Sequence, residues 1–257
     1  FASIERDGIV VIPNFLPDED FRALQEELTK SREAPHDTKS KVTPYGDNFQ
    51  VRELLLTDWA ESFPAFMRIM RDNEFLLHLA SAVSRRAMTY RPHVAIFDVH
   101  KPKPDLPHTD IDYNQYLHAD RHYAFVKAFL YMNDVDEMNA PYCYARGSHR
   151  VDRNRLKYEY DYSLAYSRVR RRAYKRSVAQ LELDRTLYDL AAAYVDRIGS
   201  RVEPVVGRAN TLIVSNNIGF HKRGEMRSRE PRVTINIDYK YLESPAQWLY
   251  PLLRHLY

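Results

Sequence analysis

The sequence predicts an α+β fold in which helices come first and a long series of strands follows, broken by one helical insertion. Three observations carry this. Helical periodicity is concentrated between Pro17 and Arg85; from Tyr90 onward short β-branched and aromatic runs recur between turn residues; and the stretch from about Tyr162 to Arg197 keeps helical spacing with no glycine or proline. That order suits sheets that pack or roll against N-terminal helices.

Taken in order, Asp7 to Leu16 reads as a short strand of Ile9, Val10, Val11 and Ile12 ended by Pro13. Pro17 and Asp18 then start a helix in which Phe21, Leu24 and Leu28 recur on one face up to about Lys30. Residues 31 to 50 are polar and read as irregular. Two further helices are expected, one around Trp59 to Met70 and one from Asp72, as N-cap, to about Arg85. Strands are expected at Val94 to His100, His108 to Tyr113, Ala124 to Met132, Tyr142 to Tyr144, Arg201 to Val206, Thr211 to Ser215 and Val233 to Tyr241.

A chain of 257 residues, 44% hydrophobic and 28% charged, suits one globular domain over residues 1–257, with residues 151–197 as a helical, basic insertion. No run approaches the roughly 20 apolar residues of a spanning helix, and the first residues show no signal-peptide pattern. A soluble, cytoplasmic protein is the expectation. Cys143 is the sole cysteine, which excludes an intramolecular disulfide and a thiolate metal cluster and fits a buried, inert thiol. The net charge of +3 gives no reason to expect nucleic acid, although six positive charges fall between Arg168 and Arg176.

His108 and Asp110 form a His-x-Asp pair that, on a strand, projects both side chains from one face. With a distant histidine they would make a two-histidine, one-carboxylate set, which leaves three positions open on iron(II). The pair is weak alone, because ten histidines produce such a pattern by chance, and a second copy stands at His118 and Asp120. The surrounding residues must decide between them.

Those surroundings resemble the phytanoyl-CoA dioxygenase family of iron(II)- and 2-oxoglutarate-dependent oxygenases. Three blocks carry the likeness: Asp7 to Leu16; His108 to Asp110 with the run FVKAFLYMNDVDEMNAP from Phe125 to Pro141 and then Arg146, Gly147, Ser148 and His149; and GRANTLIV from Gly207 to Val214, followed by His221 and by Arg232 eleven residues later. The chain departs from the family at Asn139 and Ala140, where a turn glycine is usual, at Arg146, where proline is usual, and at Arg223, where a serine often helps hold the co-substrate.

The resemblance implies a double-stranded β-helix, the cupin-like jelly-roll barrel, with N-terminal packing helices. It implies Fe(II), 2-oxoglutarate and O2 as cofactors, and His108, Asp110 and His221 as metal ligands and catalytic centre. The family's His-x-Asp stands about 25 residues before the Asp-Asp turn, which selects this pair and leaves His118 and Asp120 to a loop. His93, His100 and His122 then read as structural histidines, and His149 as a turn residue.

Arg232 opens an alternating strand, with Arg232, Thr234, Asn236 and Asp238 on one face and Val233, Ile235, Ile237 and Tyr239 on the other. In a sandwich the polar face would meet solvent. In the barrel implied by the resemblance it lines the cavity, where Arg232 pairs with the far carboxylate of 2-oxoglutarate and Thr234 adds a second contact. Lys127 either faces the same cavity as a further co-substrate contact or snorkels from the strand edge.

The basic insertion, with Tyr158, Tyr160, Tyr162, Tyr166 and Tyr174 among its arginines, reads as a solvated helix, as a lid that attracts an anionic small-molecule substrate, or as a contact for anionic lipid headgroups at a membrane surface. With a carboxylate in the ligand set, hydroxylation of a C–H bond is the default reaction implied. Two rival functions stay open, a catalytically silent binding barrel and a cupin-like metalloenzyme that does not use 2-oxoglutarate.

Overall fold

The computed structural model describes residues 2–33, 40–45, 49–55, 63–100, 113–120, 125–173 and 178–241. Along the chain run α1 (Ala2–Asp7), β1 (Ile9–Ile12), α2 (Asp18–Glu33), β2 (Ser40–Tyr45), β3 (Phe49–Leu55), α3 (Pro64–Phe66) continued by a π-helical turn over Met67–Arg71, α4 (Glu74–Ser84), β4 (Met88–His100), a 3-10 turn over Tyr113–Gln115, β5 (Phe125–Tyr131) and β6 (Tyr142–Ala145). The helical pair α5 (Arg153–Ala173) and α6 (Val178–Arg197) follows, and then β7 (Val202–Val205), β8 (Leu212–Asn216), β9 (His221–Arg223) and β10 (Arg232–Tyr241).

Two antiparallel sheets result. The larger has the order β1-β8-β5-β10-β4-β3-β2 and the smaller β7-β6-β9. They face each other across a shared interior, because Ile9, Tyr131 and Ile213 of the large sheet pack against Tyr142, Tyr144 and Val205 of the small one. This is the α+β double-stranded β-helix, a jelly roll with helices covering its outer face.

Register explains the separation of the two faces. Thr234 pairs with Tyr131, Asn236 with Phe129 and Asp238 with Lys127, while Lys127 also pairs with Ser215, so these residues share the inner face. The alternate residues Val233, Ile235, Ile237 and Tyr239, with Val126, Ala128, Leu130, Leu212 and Val214, point outward into a core shared with Leu24 and Leu28 of α2, Phe66 of α3 and Leu76 of α4. Each such buried aliphatic side chain contributes on the order of 1.5–3 kcal/mol. The helical layer is tied together by Glu27, a buried carboxylate that accepts the N–H groups of Ala65 and Phe66 at 2.7 and 2.9 Å and so caps α3.

Four expectations shift. Residues 40–45, within the stretch 31–50 expected to be irregular, form β2 paired antiparallel with β3, because β2 is the edge strand of its sheet and carries a lysine and a proline that mask the alternation. The cap of α4 is Asn73, whose side chain accepts the N–H of Leu76 at 3.2 Å, and not Asp72. The insertion is two helices and begins at Arg153. The three-residue strand β9, which carries His221, gives no period of its own. Among the described residues no helix is long and apolar enough to cross a membrane.

Candidate metal centre

Just beyond the 3-10 turn the chain extends through His118, and a reciprocal bridge clips it to β9: the N–H of His118 donates to the carbonyl of His221 at 3.0 Å and the N–H of His221 to the carbonyl of His118 at 2.9 Å. The N–H of Asp120 then donates to the carbonyl of Asn217 at 3.1 Å. In such an extended segment alternate side chains take opposite sides. Leu117 and Ala119 pack against the core formed by α5 and α6. His118 and Asp120 are thereby presented to the opposite side, where His221 stands.

His118, Asp120 and His221 each offer a ligand atom, and these atoms lie within 4.8 Å of one another. The Asp120 Oδ1 is 3.7 Å from His118 Nε2 and 3.5 Å from His221 Nε2. Both imidazoles have their other nitrogen committed. His118 Nδ1 is 2.7 Å from the carbonyl of Tyr116, and His221 Nδ1 is 3.0 Å from the carbonyl of Gly219, contacts that only a protonated Nδ1 can make. Each ring therefore turns its Nε2 toward Asp120, the nitrogen a metal would take.

The electrostatics agree. Burial, reinforced by the neighbouring His221, pushes His118 down to about 4, so it is neutral at ordinary pH. Burial acts to raise Asp120, but Lys127 and then His221 outweigh it and hold the carboxyl well below the usual carboxylate range. Two imidazoles and one carboxylate converge on one point, with thiolates absent from the set. That is a donor set for iron(II), manganese or zinc rather than for a soft metal.

A second layer fixes the carboxylate. Lys127 Nζ lies 2.7 Å from Asp120 Oδ2, and Asn217 Nδ2 donates to the same oxygen at 2.8 Å. Asn217 is fully buried, and its Oδ1 accepts from Ser215 Oγ at 2.7 Å, while Tyr142 Oη lies 3.1 Å from Ser215 Oγ. Ser215, Asn217 and Tyr142 are absent from the sequence-derived site. Their one sequence signal is the polar run Ser215, Asn216, Asn217 directly after the apolar Leu212 to Val214.

Behind His221 the insertion packs tightly. Arg155 is buried, donates to the carbonyls of Ile218 and Ser148 at 2.7 and 3.2 Å, and places its guanidinium 4.8 Å from the Phe220 ring centre. Ser148 Oγ accepts the N–H of Phe220 at 2.8 Å, so the Gly147-Ser148-His149 turn is a latch for the residue next to His221. On the other side Tyr188 of α6 stacks on Tyr116 at 4.5 Å. The base of the insertion is a structural wall for the metal-binding segments.

Arg232 and Thr234 occupy the inner face of β10. Arg232 Nη1 donates to the carbonyl of Ala140, but its Nε, with Thr234 Oγ1 and Asn236 Oδ1, is buried without a partner. Burial lowers the Arg232 guanidinium from its ordinary value. A row of unsatisfied buried polar atoms headed by a cation calls for an anionic ligand that the chain itself does not provide.

Of the residues selected from sequence, His221, Arg232, Thr234 and Lys127 all line this interior. His108 and Asp110 lie outside the described residues, as does His122. The pair the fold carries to His221 is the second copy, His118 and Asp120.

The profile of phytanoyl-CoA dioxygenase (PhyH) matches residues 4–232. The chain belongs to the phytanoyl-CoA dioxygenase family, the iron(II)- and 2-oxoglutarate-dependent oxygenases that its sequence blocks resemble. No curated protein sequence matches it significantly. Among solved structures it is similar to the non-haem α-ketoglutarate-dependent epimerase SnoN from nogalamycin biosynthesis, with TM-score 0.60 and 15% identity over 93% of this chain and 80% of that one. It is also similar to the carbocyclase SnoK of the same biosynthesis, with TM-score 0.60 and 15% identity over 93% and 82%. EctD from S. alaskensis, solved with 2-oxoglutarate and 5-hydroxyectoine, matches with TM-score 0.59 and 15% identity over 95% and 77%. At these identities the likeness is one of fold.

Proposed function

We propose that this chain is an iron(II)- and 2-oxoglutarate-dependent oxygenase that holds its metal through His118, Asp120 and His221 and its co-substrate through Arg232 and Thr234. Its substrate is a small polar or anionic molecule in which a C–H bond is oxidised, hydroxylation being the default outcome. The observation that carries this is the convergence of two Nε2 atoms and Asp120 Oδ1 on one point, with both rings oriented through Nδ1 by backbone carbonyls.

The residues fit the two groups. His118, Asp120 and His221 would hold the metal and leave room beside it for an α-keto acid and oxygen. When bound, iron would activate O2 as the oxidant, with 2-oxoglutarate giving up two electrons as it is converted to succinate and carbon dioxide and the substrate C–H bond giving up the other two. The chain's own part is binding and orientation. The Arg232 guanidinium, with Nε unpartnered, donates to the far carboxylate in a charge-assisted contact, and Thr234 Oγ1 gains the partner it lacks. The inner faces of Phe129 and Tyr142 exclude water from that interior.

A silent binding barrel would not need both histidine rings held for a metal, and a metalloenzyme without 2-oxoglutarate would leave Arg232 Nε and Thr234 Oγ1 unsatisfied. The basic C-terminal part of α5 is the element that would draw an anionic substrate toward the barrel. Purified protein given Fe(II), oxygen and 2-oxoglutarate is expected to form succinate even without substrate, and His118→Ala and Asp120→Ala are expected to abolish it. Iron-dependent succinate formation that survived both changes would overturn the reading.

A further inference from the structure

Asp120 has two oxygens, and the structure treats them differently. Oδ1 faces the two Nε2 atoms, at 3.7 and 3.5 Å. Oδ2 receives Lys127 Nζ at 2.7 Å and Asn217 Nδ2 at 2.8 Å. An ionised carboxylate oxygen with two donors, one of them charged, is fully engaged.

Neither donor is free to turn away. Asn217 sits in the β8–β9 connection with its N–H on the carbonyl of Phe125 at 2.7 Å and its carbonyl on the N–H of Asp120 at 3.1 Å. Ser215 Oγ donates to its Oδ1, so the amide is oriented with its NH2 toward the metal-binding side. The Tyr142 hydroxyl lies 3.1 Å from Ser215 Oγ and donates to Asn217 Oδ1 at 3.5 Å. Both hydroxyls thus hold the Asn217 amide oxygen on the side away from the carboxylate. Lys127 projects from β5, directly opposite Ser215 of β8, the residue whose hydroxyl orients the Asn217 amide.

We infer that Lys127 and Asn217 are positioning residues that restrict Asp120 to a one-oxygen grip on the metal. The inference rests on the proposed ligand set. Its consequence is countable: a carboxylate chelating through both oxygens would occupy a fourth position and leave two, whereas an α-keto acid and oxygen together need three. To chelate, Asp120 would have to break both contacts at Oδ2, the ion pair with Lys127 Nζ and the hydrogen bond from Asn217 Nδ2. Lys127 is thereby assigned to the metal ligand and not to 2-oxoglutarate.

The test uses cobalt(II) as probe, in the absence of 2-oxoglutarate, on the full chain and on Lys127→Met, Lys127→Arg and Asn217→Ala, each checked for folding by circular dichroism. Expected are a ~10–100-fold weaker cobalt affinity in Lys127→Met and Asn217→Ala, the usual effect of losing an outer partner, together with a shifted visible absorption spectrum of the bound cobalt. Lys127→Arg is expected to recover affinity and spectrum at least in part. Unchanged cobalt affinity and spectrum in Lys127→Met and Asn217→Ala would overturn the inference. If Lys127→Met does not fold, Asn217→Ala decides. A His118→Ala variant that keeps cobalt with the original spectrum would instead overturn the ligand set itself, so the two failures are told apart.

Discussion

His118 and His221 exchange both of their backbone hydrogen bonds with each other, at 3.0 and 2.9 Å, and their imidazole rings lie 4.5 Å apart. The geometry of the candidate metal centre is therefore a property of paired backbone: an isolated antiparallel bridge sets the distance between two histidines 103 residues apart in sequence. Each ring is then aimed by a carbonyl two residues before it, from Tyr116 and Gly219.

Gly219 provides one test of that aiming. A Cβ built at this position would sit 2.1 Å from the Tyr144 hydroxyl, which itself donates to the carbonyl of Asn216 at 2.9 Å. Gly219→Ala is expected to destabilise the protein by ~1–3 kcal/mol and to weaken metal binding, because the displaced loop carries the carbonyl that orients His221. Thermal melting and metal titration would check both; an unchanged melting temperature would show that the loop has room the geometry does not provide.

Arg155 links the insertion to the same loop. Its guanidinium is buried and donates to the carbonyls of Ile218 and Ser148 and to Glu159, the last at 2.6 Å, so its loss removes the cation that ties α5 to both loops and leaves its space empty. Arg155→Ala is expected to cost about 3 kcal/mol or more, read by chemical denaturation, and to increase proteolysis within α5 and α6. A variant as stable as the parent would mean that the insertion is not anchored through this residue.

Arg232→Ala is expected to raise the KM for 2-oxoglutarate ~30-fold or more, on the order of 2 kcal/mol, while metal affinity changes little. The separation matters because Arg232 touches Ala140 and none of the three ligands. A normal KM in a folded variant would remove it from the co-substrate site.

The stability of the metal-free protein should fall in acid with a definite sign. Burial pushes His118 down to about 4, and His149 likewise, from the ordinary 6.5. As pH drops below 6.5 the unfolded chain takes up protons that the folded chain refuses until about 4, so stability rises with pH across this window and is lost on going down through it. His118 alone accounts for roughly 3 kcal/mol at most, since each tenfold change in proton affinity is worth about 1.4 kcal/mol. Denaturation curves in the presence of chelator between pH 4 and 6.5 should show this slope, reduced in His118→Asn. A flat profile would contradict the burial of these rings.

Much of this was legible along the chain, for physical reasons that differ by element. The alternation of Arg232, Thr234 and Asn236 with Val233, Ile235 and Ile237 was readable because a central barrel strand meets a polar cavity on one side and a helical layer on the other. The hairpin β2–β3 was not, since an edge strand need not alternate. Between the two His-x-Asp copies, local sequence gives no decision, because what distinguishes a ligand pair is a partner far along the chain. A signal was present nonetheless: Leu117 and Ala119, alternating with His118 and Asp120, mark an extended segment with one buried apolar face. Lys127 showed as a charge on an apolar strand, but only the register reveals that it reaches Asp120.

The central claim is that the metal is held by His118, Asp120 and His221. Fe(II) or cobalt(II) affinity measured side by side in His118→Ala and His108→Ala tests it most directly. The expected result is loss of metal binding in His118→Ala and near-parental affinity in His108→Ala; the reverse pattern, with His118→Ala binding normally and His108→Ala not, would contradict it.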